Sequence, residues 1–452
     1  MDKFKTIIHA IDSLAIYRSL LSDPVLSCYL DHLKALVEPS EALNPAVTYS
    51  KLYYQLAQTV NPMESVDPWQ NHLLDLLLDD VNPFSKAAYN RELDHRVYLE
   101  AVRRDLELLH LAFETGLSII LEATQESLKK LPEFPRHLVA LPRWVALAPS
   151  VQNTTPVLNE RIPLKYALAS AKNWDKHAEK LAEYYAAYGC GVFGRYIAFK
   201  WENHSLRGVS RPDPITFSDL IGYTDTRAEI IDNTKKFING APANNILLYG
   251  DRGTGKSSTV KALLNEYWSR GLRLIEVGKK QLANFPAIIG ELNGRKHRFI
   301  LFVDDLSFEE HETGYKDLKA LLEGGLEEKP ENVLIYATSN RRHLVRETFA
   351  DREANLSGQE IHAMDSVQEK LSLADRFGIT VIFPNPDQEL FLEIVQGLAR
   401  QRNLRLDPQD LRRRALQWAS WHNGRSPRSA RQFIDHLTGE KLLAESSLQV
   451  NH

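Results

Sequence analysis

The sequence predicts an α/β chain in which a parallel sheet lies between two helical regions. Five short, nearly continuous apolar runs occur beyond residue 240, spaced widely enough for a crossover helix between successive strands. Before about residue 205 the apolar positions recur at helical spacing, as from Tyr98-Leu99 to Ile119-Ile120-Leu121, with few alternating runs. From Pro386 onward the helical pattern returns. A chain of 452 residues is too long for one simple core, so two or three domains are expected.

Residues 1–207 read as an all-α N-terminal domain. Prolines in Leu131-Pro132-Glu133-Phe134-Pro135 and Leu141-Pro142-Arg143-Trp144 interrupt the helical ladder and divide it into two sub-bundles. The aromatic segment from Asn173-Trp174 to Trp201 reads as packed core. Composition changes at Gly208-Val209-Ser210-Arg211-Pro212-Asp213-Pro214, a polar linker. Residues 208–385 then carry the strands, expected at Asn245–Tyr249, Arg273–Val277, Phe299–Asp304, Val333–Thr338 and Thr380–Phe383. Residues 386–452 form a helical third unit, with helices expected at Gln388–Arg400, Asp410–Trp421 and Pro427–Leu437.

Net charge is −4 with both signs abundant, so the chain as a whole has no electrostatic signature of a nucleic-acid or membrane binder. Cys28 and Cys190 stand far apart and outside any Cys/His cluster, which indicates neither a disulfide framework nor a zinc site. No apolar stretch approaches about 18 residues, and the N-terminus is amphipathic rather than secretory. A soluble, cytoplasmic protein with no membrane span is expected.

Gly250-Asp251-Arg252-Gly253-Thr254-Gly255-Lys256-Ser257 follows the apolar run Ile246-Leu247-Leu248-Tyr249 and precedes Ser258 and a helical pattern. This is a complete G-x-x-x-x-G-K-S phosphate loop in its strand-loop-helix context, and it indicates a nucleoside triphosphate site. The glycines let successive backbone N–H groups and the next helix N-terminus face the phosphates. Lys256 is expected on the β and γ oxygens and Ser257 on Mg²⁺. Arg298-Phe299-Ile300-Leu301-Phe302-Val303-Asp304-Asp305 delivers two carboxylates at a strand's C-terminal end, as a Walker B element does. Asp304 is expected at Mg²⁺ and Asp305 on the attacking water.

The order of these motifs resembles that of AAA+ ATPases over about residues 210–440. Tyr336-Ala337-Thr338-Ser339-Asn340 is similar to their sensor 1, which implies that Asn340 contacts the γ-phosphate or the lytic water. Phe217-Ser218-Asp219-Leu220-Ile221-Gly222 resembles the segment beside the adenine. Ser372-Leu373-Ala374-Asp375-Arg376-Phe377-Gly378-Ile379 resembles the box that carries an arginine finger, making Arg376 the candidate, with Arg341 and Arg342 as competitors. Gly424-Arg425-Ser426-Pro427-Arg428 resembles a sensor 2, with Arg428 the phosphate contact. The implied fold is a P-loop AAA+ core with a five-stranded parallel sheet and a C-terminal helical lid, binding ATP and Mg²⁺. The runs Asn244–Gly250, Asp304–Glu309 and Thr338–Leu344 resemble a bacterial family of uncharacterised AAA-type ATP-binding proteins. Asp305 departs from the common pattern, where many AAA+ enzymes carry glutamate; Glu309 is the alternative base, and it also reads as a solvated loop charge.

The resemblance implies three uses of the nucleotide. One is remodelling or loading of a protein partner by a self-associating ATPase. Gly278-Lys279-Lys280-Gln281-Leu282-Ala283-Asn284-Phe285 lacks the aromatic-hydrophobic-Gly triplet that grips a threaded polypeptide, which disfavours processive unfolding. Another is a nucleic-acid-associated switch, favoured by Arg400, Arg402, Arg405, Arg412, Arg413, Arg414, Arg425, Arg428 and Arg431, with Lys279, Lys280, Arg295, Lys296 and Arg298 adding charge. The third is a scaffold shaped by bound ATP with little turnover. The polar stretch Asp351–Ser366 resembles a mobile loop before the finger.

Overall fold

The computed structural model describes residues 2–40, 43–59, 67–90, 93–130, 140–144, 156–308, 314–323, 330–340, 373–404, 406–422 and 424–449. The chain forms two compact units, Met1–Tyr196 with Gly294–Lys296, and Ile197–Asn293 with His297–His452.

The described helices of the first unit are Asp2–Asp12 (α1), Pro24–Val37 (α2), Pro45–Gln58 (α3), Pro68–Asp79 (α4), Pro83–Tyr89 (α5), Leu99–Phe113 (α6), Leu117–Lys129 (α7), Pro156–Ala169 (α8) and Ala178–Tyr188 (α9). A short local signal starts α2 to α5. Asp23, Asn44, Asp67 and Asn82 each precede a proline, and each side chain accepts a hydrogen bond from a first-turn N–H. The Asx residue caps an orphan donor while proline presets the helical φ, so the pair defines a helix start.

Aromatic residues fill this unit's core. Trp69 stacks on Tyr29 at 3.7 Å between ring centroids, and Trp174 stacks on His110 at 5.2 Å. Trp174, Tyr184, Tyr185 and Phe193 are buried, as are Phe199 and Trp201 of the second unit. Two buried polar side chains are tied into this core: Asp105 accepts from the backbone N–H groups of Ala15, Ile16 and Tyr17. His32 bridges the hydroxyls of Thr48 at 2.8 Å and Thr124 at 2.9 Å.

The second unit carries a seven-stranded sheet in the order β2-β1-β4-β5-β6-β3-β7. Its strands are Ala198–Glu202 (β1), Ser205–Gly208 (β2), Ile246–Gly250 (β3), Leu272–Glu276 (β4), Arg298–Val303 (β5), Val333–Ser339 (β6) and Ile379–Phe383 (β7). All neighbours run parallel except β1 and β2. The five expected strands are β3 to β7. The hairpin β1–β2 adds two more, in a stretch read from sequence as helical, and β1 joins β4 through Ala198, Phe199 and Lys200. β5 and β6 are buried along their whole length, which explains their continuous apolar runs.

Crossover helices Thr224–Ile238 (α10), Lys256–Tyr267 (α11), Phe285–Leu292 (α12) and Gly314–Glu323 (α13) accompany this sheet. A helical lid follows: Gln388–Gln401 (α14), Pro408–Trp421 (α15) and Pro427–Gln449 (α16). Asp387 and Asp407 cap the first two, the latter again before proline. Among the described residues no helix is long and apolar enough to cross a membrane.

Burial pushes His32 down from 6.5 to about 3, so the folded chain keeps it neutral. The unfolded chain protonates near the ordinary value, so the stability that neutral His32 supports is intact above about pH 6.5 and is lost as pH falls toward 3. Urea titrations of wild type and His32→Gln should therefore differ in acid slope by about 1.4 kcal/mol per pH unit, wild type being steeper. Equal slopes would show that His32 does not titrate this way.

Candidate functional site

β3 ends in Gly250 at φ 144°, where a Cβ would lie 2.0 Å from the Phe383 carbonyl oxygen of β7. Only glycine permits that approach. Gly253 has φ 79°, and a Cβ there would meet the Arg428 Cβ at 2.9 Å. The Thr254 hydroxyl donates to the Asp251 carbonyl at 2.9 Å and closes the loop. Gly255, at φ 95°, is the N-cap of α11, so the unpaired N–H groups of its first turn face the loop's interior.

The side chains around this loop hold one another. Lys256 Nζ donates to the Gly250 carbonyl at 2.8 Å, the Asp251 carbonyl at 2.7 Å and Asn340 Oδ1 at 3.1 Å. Asn340 Nδ2 donates to Asp305 Oδ1 at 2.6 Å. Ser257 Oγ donates to Asp304 Oδ1 at 2.6 Å, and Thr338 Oγ1 donates to the same oxygen at 2.5 Å. Burial holds the Lys256 ammonium below its usual range, opposed by the carboxylates of Asp251, Asp304 and Asp305. Asp305 occupies the left-handed region at φ 53°, a conformation aspartate tolerates better than most side chains.

A cleft of about 620 Å³ opens over these groups. Gly253 to Ser258, Asp304, Asp305, Thr338 and Asn340 line its polar end, and Arg428 and Arg431 face them from the lid. Leu220, Ile221, Ile394 and Leu398 form an apolar end beside Asp219 and Arg227. Arg227 is buried, donates to the Leu220 and Gly222 carbonyls, and is held below its usual range by desolvation. The Arg428 backbone N–H donates to the Gly253 carbonyl at 3.2 Å, tying the start of α16 to the phosphate loop.

Of the residues singled out from sequence, Arg252 to Ser258, Asp304, Asp305, Asn340 and Arg428 line one cleft, while Gly250 and Asp251 contribute carbonyls that hold Lys256. Arg376 is half-buried in the turn Ala374–Arg376 before β7 and is not part of the cleft lining. Arg341, Arg342, Glu309 and Asp351–Ser366 lie outside the described residues. Thr338 and Arg227 received no role from the sequence. The signal for Arg227 was a charge in register with the buried positions Ile230, Thr234 and Phe237 of α10.

Paired backbone N–H groups, a buried ammonium and a lid guanidinium suit a polyphosphate. Ser257 and Asp304 present hard oxygen donors to the same point, a set that fits Mg²⁺ when phosphate oxygens and water complete the shell. Among the described residues no group of three or more His, Cys, Asp or Glu could hold a metal alone.

One family's sequence pattern, described as "Protein of unknown function (DUF815)", matches residues 194–441, more than half of the chain. Among solved structures, the Thermotoga maritima RuvB Holliday junction branch migration motor is 15% identical with a TM-score of 0.35, over 51% of this chain and 67% of that one. A proline-to-glycine mutant of the same Thermotoga maritima protein is 13% identical with a TM-score of 0.36, over 51% of this chain and 68% of that one. No curated protein matches the chain.

The two loop glycines should respond differently to alanine. Gly250→Ala forces backbone into backbone and should lower stability by about 3 kcal/mol or more. Gly255 has open space around a Cβ, so Gly255→Ala meets only the left-handed penalty of about 1–2 kcal/mol. Thermal unfolding of both variants checks this, and a Gly250→Ala protein as stable as Gly255→Ala would contradict the geometry.

Proposed function

The chain belongs to the DUF815 family, and we propose that it is a Mg²⁺-dependent ATPase of the AAA+ type that couples ATP hydrolysis to remodelling or loading of a protein partner. The observation that carries this reading is the hydrogen-bonded set Lys256, Asn340, Asp305, Thr338, Asp304 and Ser257, drawn from the start of α11 and the C-terminal ends of β5 and β6 into one cleft.

The base rests against Leu220, Ile221, Ile394 and Leu398, and the triphosphate runs along the loop toward Asn340. Backbone N–H groups of the loop and Lys256 carry the phosphate charge. Ser257 and Asp304 would hold Mg²⁺, which would supply charge neutralisation at the phosphates. Asp305 accepts the proton of the attacking water, and Asn340, already bonded to Asp305, orients that water against the γ-phosphorus. Arg428 adds positive charge from the lid, and Arg376, outside its own cleft, serves the cleft of a neighbouring copy.

The lid is mechanically linked to the base-facing segment. Gln401 Nε2 of α14 donates to the Ser218 carbonyl at 2.6 Å, and the Tyr223 hydroxyl donates at 2.6 Å to the carbonyl of Pro384, between β7 and the lid. A Cβ on Gly397 would meet Ile221 at 2.8 Å, so α14 lies directly on the segment that the base touches. Changes in nucleotide occupancy therefore reach the lid through Ser218–Tyr223. Leu282 and Phe285 are buried, which supports a mode other than gripping a threaded chain.

The nucleic-acid reading stands second. Arg402 pairs with Asp435, Arg413 with Asp410 and Arg414 with Glu440, while Arg428 and Arg431 face the cleft. Arg298 is buried, and Lys279 lies over the Phe308 ring. These partners reduce the basic excess that the sequence displays.

The deciding experiment is ATP turnover against protein concentration, with and without single-stranded DNA. Turnover per chain should rise with concentration, and Lys256→Ala should abolish it. Arg376→Ala should lower turnover by about 10³-fold or more while sparing ATP binding. Full turnover in Arg376→Ala would remove the trans role, stimulation by DNA at low salt would promote the second reading, and tight binding without turnover would favour an ATP-shaped scaffold.

A further inference from the structure

Thr338 is 2% exposed at the penultimate position of β6 and holds three consecutive residues of the facing chain. Its Oγ1 donates to Asp304 Oδ1 at 2.5 Å and accepts the Asp305 backbone N–H at 3.0 Å. Its carbonyl accepts the Leu306 backbone N–H at 2.7 Å. A hydroxyl has one proton, and a carboxylate can only accept while a backbone N–H can only donate, so the orientation of this hydroxyl is determined.

We infer that Thr338 is the positioning residue of the hydrolytic centre, holding Asp304 and Asp305 in two different orientations for two different tasks. The inference rests on the ATPase reading above. After Val303 the chain leaves the sheet, and Asp305 turns into the left-handed region. The bond from the Asp305 N–H to Thr338 holds that turn, and the turn brings the Asp305 carboxylate to Asn340 Nδ2. The bond to Asp304 Oδ1 fixes the other carboxylate beside Ser257. Without the hydroxyl, the Asp305 N–H loses this acceptor and, among the described residues, Asp304 keeps only Ser257 at that oxygen. A short second carboxylate has little reach to recover its position by changing rotamer, so Asp305 depends on this turn more than a glutamate would.

Thr338→Val keeps the shape and removes both side-chain bonds, whereas Thr338→Ser keeps both bonds and removes a methyl group. Partners that orient catalytic or ligating groups are typically worth about 10–100-fold, so Thr338→Val should lower kcat by that factor. ATP affinity measured without Mg²⁺, which reports the loop and Lys256, should change by less than about twofold, and Thr338→Ser should keep kcat within about threefold of wild type. As a readout independent of turnover, the Mg²⁺ concentration that half-saturates binding of a non-hydrolysable ATP analogue should rise at least about fivefold in Thr338→Val and stay unchanged in Thr338→Ser. Unfolding midpoints accompany each measurement, and Thr338→Ala replaces the valine variant if that one fails to fold.

Wild-type kcat and Mg²⁺ dependence in Thr338→Val would overturn the inference, as would equal losses in the serine and valine variants, which would mark a packing role. A wild-type chain that binds the analogue but does not turn over ATP defeats the ATPase reading separately; the Mg²⁺ titration then still decides whether Thr338 positions Asp304.

Discussion

The register between β5 and β6 is the constraint on which the cleft depends. Val303 lies opposite Ala337, so Thr338 comes level with Asp304 where β5 leaves the sheet. Because side chains alternate at period two, a slip of one residue would turn Thr338 away from Asp304 and Asn340 away from Asp305. The same sheet pairs Leu248 with Thr338 across β3 and β6 and thereby sets the phosphate loop beside the two carboxylates. Both strands are buried on both faces, so a slip would have to repack two close-packed layers at once.

Glycine and aspartate complete what the register begins. At Gly250 the backbone touches β7, and at Gly253 it touches the lid, so the loop is shaped from two sides at once. Asp305 pays no β-branched penalty in the left-handed turn, and the turn lets two adjacent carboxylates face different partners. The lid and the segment Ser218–Tyr223 share contacts at Gly397, Ile221, Gly222 and Leu390, so the lid and the apolar end of the cleft are continuous.

Local signals made much of this legible. The strands β3 to β7 were readable from apolar runs because a parallel sheet buried on both faces leaves no alternation to confuse them. The Asx-Pro starts of α2 to α5 and α15 were equally present in sequence, since a cap and a preset φ need no distant partner. The hairpin β1–β2 was missed for the opposite reason. It is short, it carries Lys200 and Arg207 on its exposed side, and its inclusion depends on pairing with β4.

By itself the sequence determined which residues meet in the cleft from single strand-loop segments: the Gly-rich loop, the paired carboxylates and Asn340 are specified by residue type at fixed spacing. Only the tertiary structure decided which groups hold which. Thr338 reads as an ordinary strand residue until β5 stands beside β6, and Arg227 as an ordinary helix charge until the Leu220 and Gly222 carbonyls meet it. The physical reason is that backbone conformation and capping are local energies, whereas a hydroxyl's donor and an arginine's acceptors are found only where distant segments close on each other.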